Sequence, residues 1–591
     1  TLQYSFVGMR SQEVPVKNQS KIDIVLEDDV IGLDEVVAIG YGTIKKSDLT
    51  GSVTKIKTEQ FGTQQAANFM QYLTGTVAGV IVNNSTSASE SATIEVRGPT
   101  SLNANNAPLI VLDGVIFNGN ISDINPNDIE SADILKDASS AAVFGSRSAS
   151  GVVIINTKKG SGDKVTINLS SQLGITGTTN EIRPYSPEGY LKFRQDFLRR
   201  TNPSLPAAYF DNPNALPEGI SLDAWQKYDA TVNPDPQDAW LNRIKLREIE
   251  KKNYLNGKTF DWYDEGMRPG IRQNYDVSLS GGTGVLKYYW SAGYTDNQNY
   301  IIGDDYKIIR ARLNTDAAVT NYLKVGMNAQ FSSKDESNVP VALGGLITQS
   351  PYGQMYDDNG VLKWYTHDDS NITNPFLNYY NYDKFNQTQN FFANIFGELT
   401  FPLGFSFRTS FINRFDWTKN YYYDPSTTVE GSKTMGFAQR INSSLYEWQI
   451  DNVLTWKKTI GVHDFNVTFL YNAEKRQTWR DQGENIGFYT SEALTYHQLN
   501  SGSSPTILNN DTYSTGTATM GRLNYVLMSK YFLTLTYRRD GYSAFGQLNP
   551  YANFPSAALA WNIKNEKFFR ADWVSNLKLR VSYGVNGNRD I

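Results

Sequence analysis

Along most of the chain, apolar and polar residues alternate one for one, the period of a strand with two unlike faces. In residues 286–295 the set Leu286, Tyr288, Trp290, Ala292 and Tyr294 faces one way, and Lys287, Ser291 and Thr295 the other. Tyr446, Trp448, Ile450, Leu454 and Trp456 oppose Glu447, Gln449, Asp451 and Thr455. Phe465, Val467, Phe469 and Tyr471 oppose Asn466, Thr468 and Asn472, and Leu577, Leu579, Val581 and Tyr583 oppose Lys578, Arg580 and Ser582. Thirteen such strands are predicted, starting near residues 164, 273, 285, 305, 321, 388, 404, 445, 462, 516, 531, 554 and 576, each 9–15 residues long. A tilted strand needs roughly 9–11 residues to cross a bilayer. Connections near 177–272, 297–304, 334–387, 418–444, 477–515 and 542–553 are mostly long. Those between them, such as 281–284, 319–321, 402–404, 458–461 and 528–530, are short. Long loops on one rim and tight turns on the other are how outer-membrane barrels are built. With the preceding domain on the periplasmic side, every long loop falls outside the cell.

The first 160 residues follow other patterns. Residues 1–27 read as three short strands (4–7, 12–16 and 21–26), which suits the tail of a small β-sandwich. Residues 28–46 read as a linker with paired acids and a short apolar core at 36–39. Alone, that core fits either a strand of a neighbouring sheet or an extended segment offered to a partner's sheet edge. Residues 47–160 mix a Gly-ended helix at 68–79, strands at 92–97, 108–113 and 151–157, and a helix-like stretch at 127–136. Together they form a compact α+β domain. Asp113-Gly114 marks a turn.

Composition supports a membrane barrel and removes other classes. The 591 residues carry 55 basic and 60 acidic side chains, a formal charge of −5, which argues against a broad nucleic-acid surface. Mean hydropathy is −0.44 and no run approaches a membrane helix. Aromatic residues nevertheless make up 13% of the chain, Tyr foremost, as lipid-facing girdles require. Cys is absent, and the three His (His367, His463 and His497) are not spaced as ligands, so neither metal, cofactor nor acid/base catalysis is expected. Gly257-Lys-Thr259 has Lys252 where a phosphate loop needs Gly, and 357–360 lacks the rest of a calcium loop. The chain opens inside a strand without a signal peptide, so a preceding piece is expected.

Longer stretches carry a family resemblance. They are Leu33-Asp-Glu-Val-Val-Ala-Ile-Gly-Tyr-Gly42, Ile94-Glu-Val-Arg-Gly98, Pro108-Leu-Ile-Val-Leu-Asp-Gly114, Asn125-Pro-Asn-Asp-Ile-Glu130, Ile134-Leu-Lys-Asp-Ala-Ser-Ser-Ala-Ala-Val-Phe-Gly-Ser-Arg147 and Gly151-Val-Val-Ile-Ile-Asn-Thr-Lys-Lys-Gly160. Asp261-Trp-Tyr-Asp264, Arg538-Arg-Asp-Gly541 and Ser582-Tyr-Gly-Val-Asn-Gly587 continue the match. The chain resembles the SusC/RagA family of TonB-dependent outer-membrane transporters over nearly its whole length.

The resemblance implies a carboxypeptidase-regulatory-like β-sandwich ending at 27 and a linker at 28–46. It places a TonB box at Asp34, Glu35, Val36, Val37, Ala38 and Ile39, a plug at 47–160, and from 161 to 591 the start of a transmembrane antiparallel β-barrel. Family barrels have 22 strands, so about nine are expected beyond the thirteen read here, leaving open edges. Arg97 and Arg147 are expected to pair with wall carboxylates such as Glu447 or Asp451. Asn103, Asn105 and Asn106 on the plug crown, and Tyr352, Tyr356, Trp364 and Tyr365 in the aromatic outer loop 350–382, are the candidate cargo contacts; loop packing or a lipoprotein interface is the competing reading. Expected partners are TonB with its ExbB/ExbD energy supply, a SusD-like surface lipoprotein lid and outer-membrane lipid, with importer–lid pairs forming a dimer. Oligosaccharide is the leading cargo, then peptide. A siderophore or haem receptor and a non-transporting surface binding barrel are weaker alternatives.

Overall fold

The computed structural model describes residues 2–4, 12–16, 22, 24–26, 36–38, 40–45, 48–58, 69–83, 85, 87–89, 92–101, 106–160, 162, 164–489, 491–571 and 573–589. Thirteen strands form one sheet in chain order, each antiparallel to the next. They are Thr166–Thr176, Gly270–Gly282, Leu286–Gln298, Asp305–Ala318, Leu323–Asp335, Asp383–Thr400, Phe405–Asp424, Phe437–Ile460, His463–Ile486, Thr506–Leu527, Tyr531–Tyr542, Tyr551–Asn562 and Lys578–Gly584. The sheet is part of a barrel wall wrapped around the α+β domain, which we call the plug. Its outer face exposes Leu169, Trp290, Phe469, Tyr471 and Leu559, while Arg310, Asn328, Asn394, Gln449 and Asn472 are buried on the inner face. The alternation read from the sequence therefore has its apolar set outward and its polar set against the plug.

Tight turns after Gly282, Ala318, Thr400, Ile460 and Leu527 define one rim. Connections at the other rim are longer, but two are shorter than expected because the strands run on. The eighth and ninth strands each have 24 residues, not 9–15. At roughly 3.3 Å per residue they are far longer than a tilted bilayer crossing would need, so the wall is extended toward the loop rim. The connection 177–269 folds into short helices. The first, Pro187–Thr201, starts where Ser186 Oγ accepts from the Gly189 N–H at 3.1 Å and Pro187 presets the first turn. These helices share a core of Trp225, Trp240 and Leu241. Within it the Arg243 guanidinium lies 3.8 Å from the Trp225 ring centroid and 4.5 Å from that of Tyr209.

The plug is built on a five-stranded sheet in the order Val53–Lys57, Ile129–Leu135, Val152–Thr157, Leu109–Leu112, Val115–Ile116. Ile129–Leu135 is a strand, where the sequence pattern suggested a helix. It pairs antiparallel on both sides, with Val53–Lys57 and Val152–Thr157. Central strands are covered on both faces and lose the alternation that reveals half-buried ones, so period alone misreads them. The expected N-terminal helix is present as Phe69–Leu73. Nearer the start, Leu2–Tyr4 pairs with Gln12–Val14, but residues 24–26 join no strand.

Candidate functional site

The linker forms a hairpin in which Val36–Ala38 pairs with Thr43–Lys45. Val37 is buried against Leu49, with Ile44 and Val53 packed beside them. Asp34, Glu35 and Ile39 lie outside the described residues. Val36–Ala38 is thus already paired, and Val37 tucked against the start of the plug.

Between plug and wall runs a polar seam. Arg147 reaches Glu474 at 3.3 Å, and its guanidinium also donates to Asn118 Oδ1 at 3.0 Å. Neither Glu447 nor Asp451 is that partner: Glu447 accepts from the Asn118 amide, and Asp451 from Gln449 and Asn472 at 2.6–2.9 Å. Arg97 is exposed in a left-handed turn (φ 63°), its backbone N–H donating to Gly79 O at 2.8 Å, and among the described residues it forms no ion pair with Glu447 or Asp451. Arg147 thus meets a wall carboxylate, and the register of plug on wall makes it Glu474.

The seam has contacts the sequence did not reveal. Asp113, at φ 50°, does form the expected turn, joining Leu109–Leu112 to Val115–Ile116. Its carboxylate also pairs with Arg312 of the wall and accepts from the Thr157 N–H at 2.9 Å. Asp540 accepts from the Ser146 N–H at 2.8 Å and pairs with Arg538 at 2.6 Å; Arg538 donates to Val143 O at 2.8 Å. Gly145 has no room for a side chain here, since an added Cβ would lie 2.5 Å from Asp540 Oδ2. Asp276 receives the amides of Asn125 and Asn127 at 2.6 and 2.7 Å. Asp128 of the plug accepts from Tyr289 and Ser291, and burial raises its carboxyl pKa, opposed by the positive charge of Arg312. Apolar contact with the wall is local: Phe117 meets Phe392 edge-on at 5.1 Å, and Val143 and Phe144 share a cluster with Val453, Leu470 and Met520.

On the loop-rim side of the plug lies a cavity of about 710 Å³ whose lining includes Asn118, Arg147, Glu447, Glu474 and Arg476. The described crown residue Asn106 closes its own loop, accepting from the Thr100 and Ser101 N–H groups at 2.9 Å; Asn103 and Asn105 lie outside the described residues. Tyr352 is buried in the helical loop core, which pushes its hydroxyl pKa up to about 12, so its ring packs rather than faces solvent. Tyr356 and Trp364 are exposed and Tyr365 is half-buried. Tyr380, also exposed, adds a ring to this surface.

Residues 45–152 match the family model described as TonB-dependent Receptor Plug Domain. A TonB-dependent receptor of Formosa agariphila is 30% identical over all of this chain and 55% of its own length. The TonB-dependent receptor SusC of Bacteroides thetaiotaomicron is 28% identical over 99% of this chain and 56% of its own. The chain thus spans about half the length of these relatives. The solved RagAB peptide transporter superposes with a TM-score of 0.72 over 92% of this chain and 61% of its own, at 24% identity, a likeness of fold.

Proposed function

We propose that the chain belongs with the SusC-like TonB-dependent receptors, as a plug domain and part of a barrel, and that the whole protein imports a nutrient across the outer membrane. TonB supplies the pull on residues 34–39, and a SusD-like lipoprotein covers the long loops. The observation that carries this reading is a folded plug held across the lumen by polar contacts, with a linker hairpin at its turn-rim end. A strand such as Val36–Ala38 can add to a partner's sheet edge through main-chain hydrogen bonds. No covalent step is involved; work is done by displacing the plug.

Oligosaccharide is the preferred cargo, supported by the exposed rings of Tyr356, Trp364 and Tyr380, whose faces suit sugar stacking. Peptide is the second reading, favoured by the mixed-charge lining of the 710 Å³ cavity. Calorimetry of the purified importer–lid complex against glycan and peptide panels separates them; peptide binding without glycan binding overturns the first. Val36→Pro removes a ladder donor. Uptake of the cargo so identified is expected to stop while its binding persists, and normal uptake would remove the box assignment.

A further inference from the structure

We propose that Tyr41 is the bolt of the transport path: it braces the layer that separates two cavities along the wall and leaves with the linker when that is pulled. This rests on the import reading but concerns a residue outside the box itself. A second cavity, of about 350 Å³, lies beneath the plug on the turn-rim side. It is lined by Gly40, Tyr41 and Gly42 of the linker, by Val143 of the plug, and by wall residues including Asp451 and Arg522. The upper cavity reaches Glu447 and Glu474 on the same two strands that carry Asp451 and Thr468 in the lower one. From Glu447 to Asp451 is four residues of strand, or about 13 Å. One layer therefore separates the two spaces. On the wall it is Gln449, Asp451 and Asn472; on the plug it is Val143 and Phe144.

Tyr41 is the linker residue wedged against that layer. Its ring lies 5.9 Å from that of Phe144, and its buried hydroxyl is within electrostatic reach of Asp451, Arg538 and Asp540. Gly40 beside it turns at φ 81°, and a Cβ there would stand 2.8 Å from Val143 Cγ1, so the backbone is pressed onto the plug. The hairpin strand Val36–Ala38 ends two residues before Gly40. A pull on it reaches Tyr41 before any strand of the plug sheet. Withdrawing the ring would remove the support of Phe144, which packs with Val453 and Leu470 of the wall, and so open the layer between the two cavities with the plug sheet still folded.

The test uses the complete protein and needs neither cargo nor TonB. Tyr41→Ala and Tyr41→Phe are compared with the parent for KCl conductance in planar bilayers, and for entry of a bulky glycopeptide antibiotic into cells. The expected result is a several-fold rise in conductance for Tyr41→Ala, parental conductance for Tyr41→Phe, and antibiotic exclusion by all three. Unchanged conductance in Tyr41→Ala overturns the proposal. So does a rise in both conductance and antibiotic entry, because the plug itself has then been lost and Tyr41 is an anchor rather than a bolt. Because no uptake is measured, failure here leaves the import reading to the Val36→Pro test.

Discussion

The inside of the plug and the seam around it are held by opposite means. Inside, Ile129, Ile134, Val153, Ile154 and Ile155 are wholly buried on a sheet whose ladders run through its centre. Such packing is short-ranged and fails if neighbours separate by even an ångström. In the seam, carboxylates, amides and guanidiniums meet across two surfaces. Each of those bonds can be exchanged for a bond to water at small net cost once the surfaces part. The contrast suits the proposed import, in which the plug would keep its own fold under load while its contacts to the wall give way; apolar seam contacts are confined to spots such as Phe117–Phe392.

Variants can break this contrast in order of expected effect. Asp540→Ala leaves Arg538 buried without its partner and the Ser146 N–H without its acceptor. A loss of about 3–5 kcal/mol is expected in the plug transition of the complete protein, measured by calorimetry in detergent. A change under about 1 kcal/mol would mean that water already serves this site. Ile154→Ala truncates a fully buried side chain at the centre of the plug sheet and is expected to cost about 2–5 kcal/mol. Its signature differs, because the plug's own melting falls while its docking contacts are untouched. Replacing both members of this wall pair, Arg538→Met with Asp540→Leu, should recover most of the loss seen for Asp540→Ala, to within about 1–2 kcal/mol of the parent. If the double variant is as damaged as the single one, the Arg538–Val143 bond rather than the ion pair dominates. Lys433→Ala removes an exposed loop pair with Glu430 and should shift stability by no more than about 0.5 kcal/mol.

The legibility of this molecule follows the same division. Strand starts such as 305 and 531 were readable to the residue, because a wall with lipid on one side and a polar lumen on the other prints its period on every strand. Ile129–Leu135 was misread because both of its faces are buried. The loop-rim parts of the eighth and ninth strands were missed because there the outward positions are no longer consistently apolar and alternation fades, although Ala438 and Asn485 are buried beneath the loops. Arg147 was legible as a seam residue by resemblance, but its partner Glu474 stands 327 positions away and is chosen by how the plug sits in the wall. Tyr352 fitted cargo contact and loop packing alike in the sequence, and only the closing of the helical loops over it decided for packing.

By itself the sequence determined the strand count, the apolar outer face, the alternation of short and long rims and the kinship of the plug. These are local or one-dimensional properties, set by which side chains alternate and where turns interrupt them. Tertiary structure alone decided which carboxylate meets which guanidinium, that Val37 is tucked into a hairpin, and that Tyr41 lies between two cavities. Those depend on the position of one folded body against another, and no residue's chemistry specifies its partner until that packing has brought the two surfaces together.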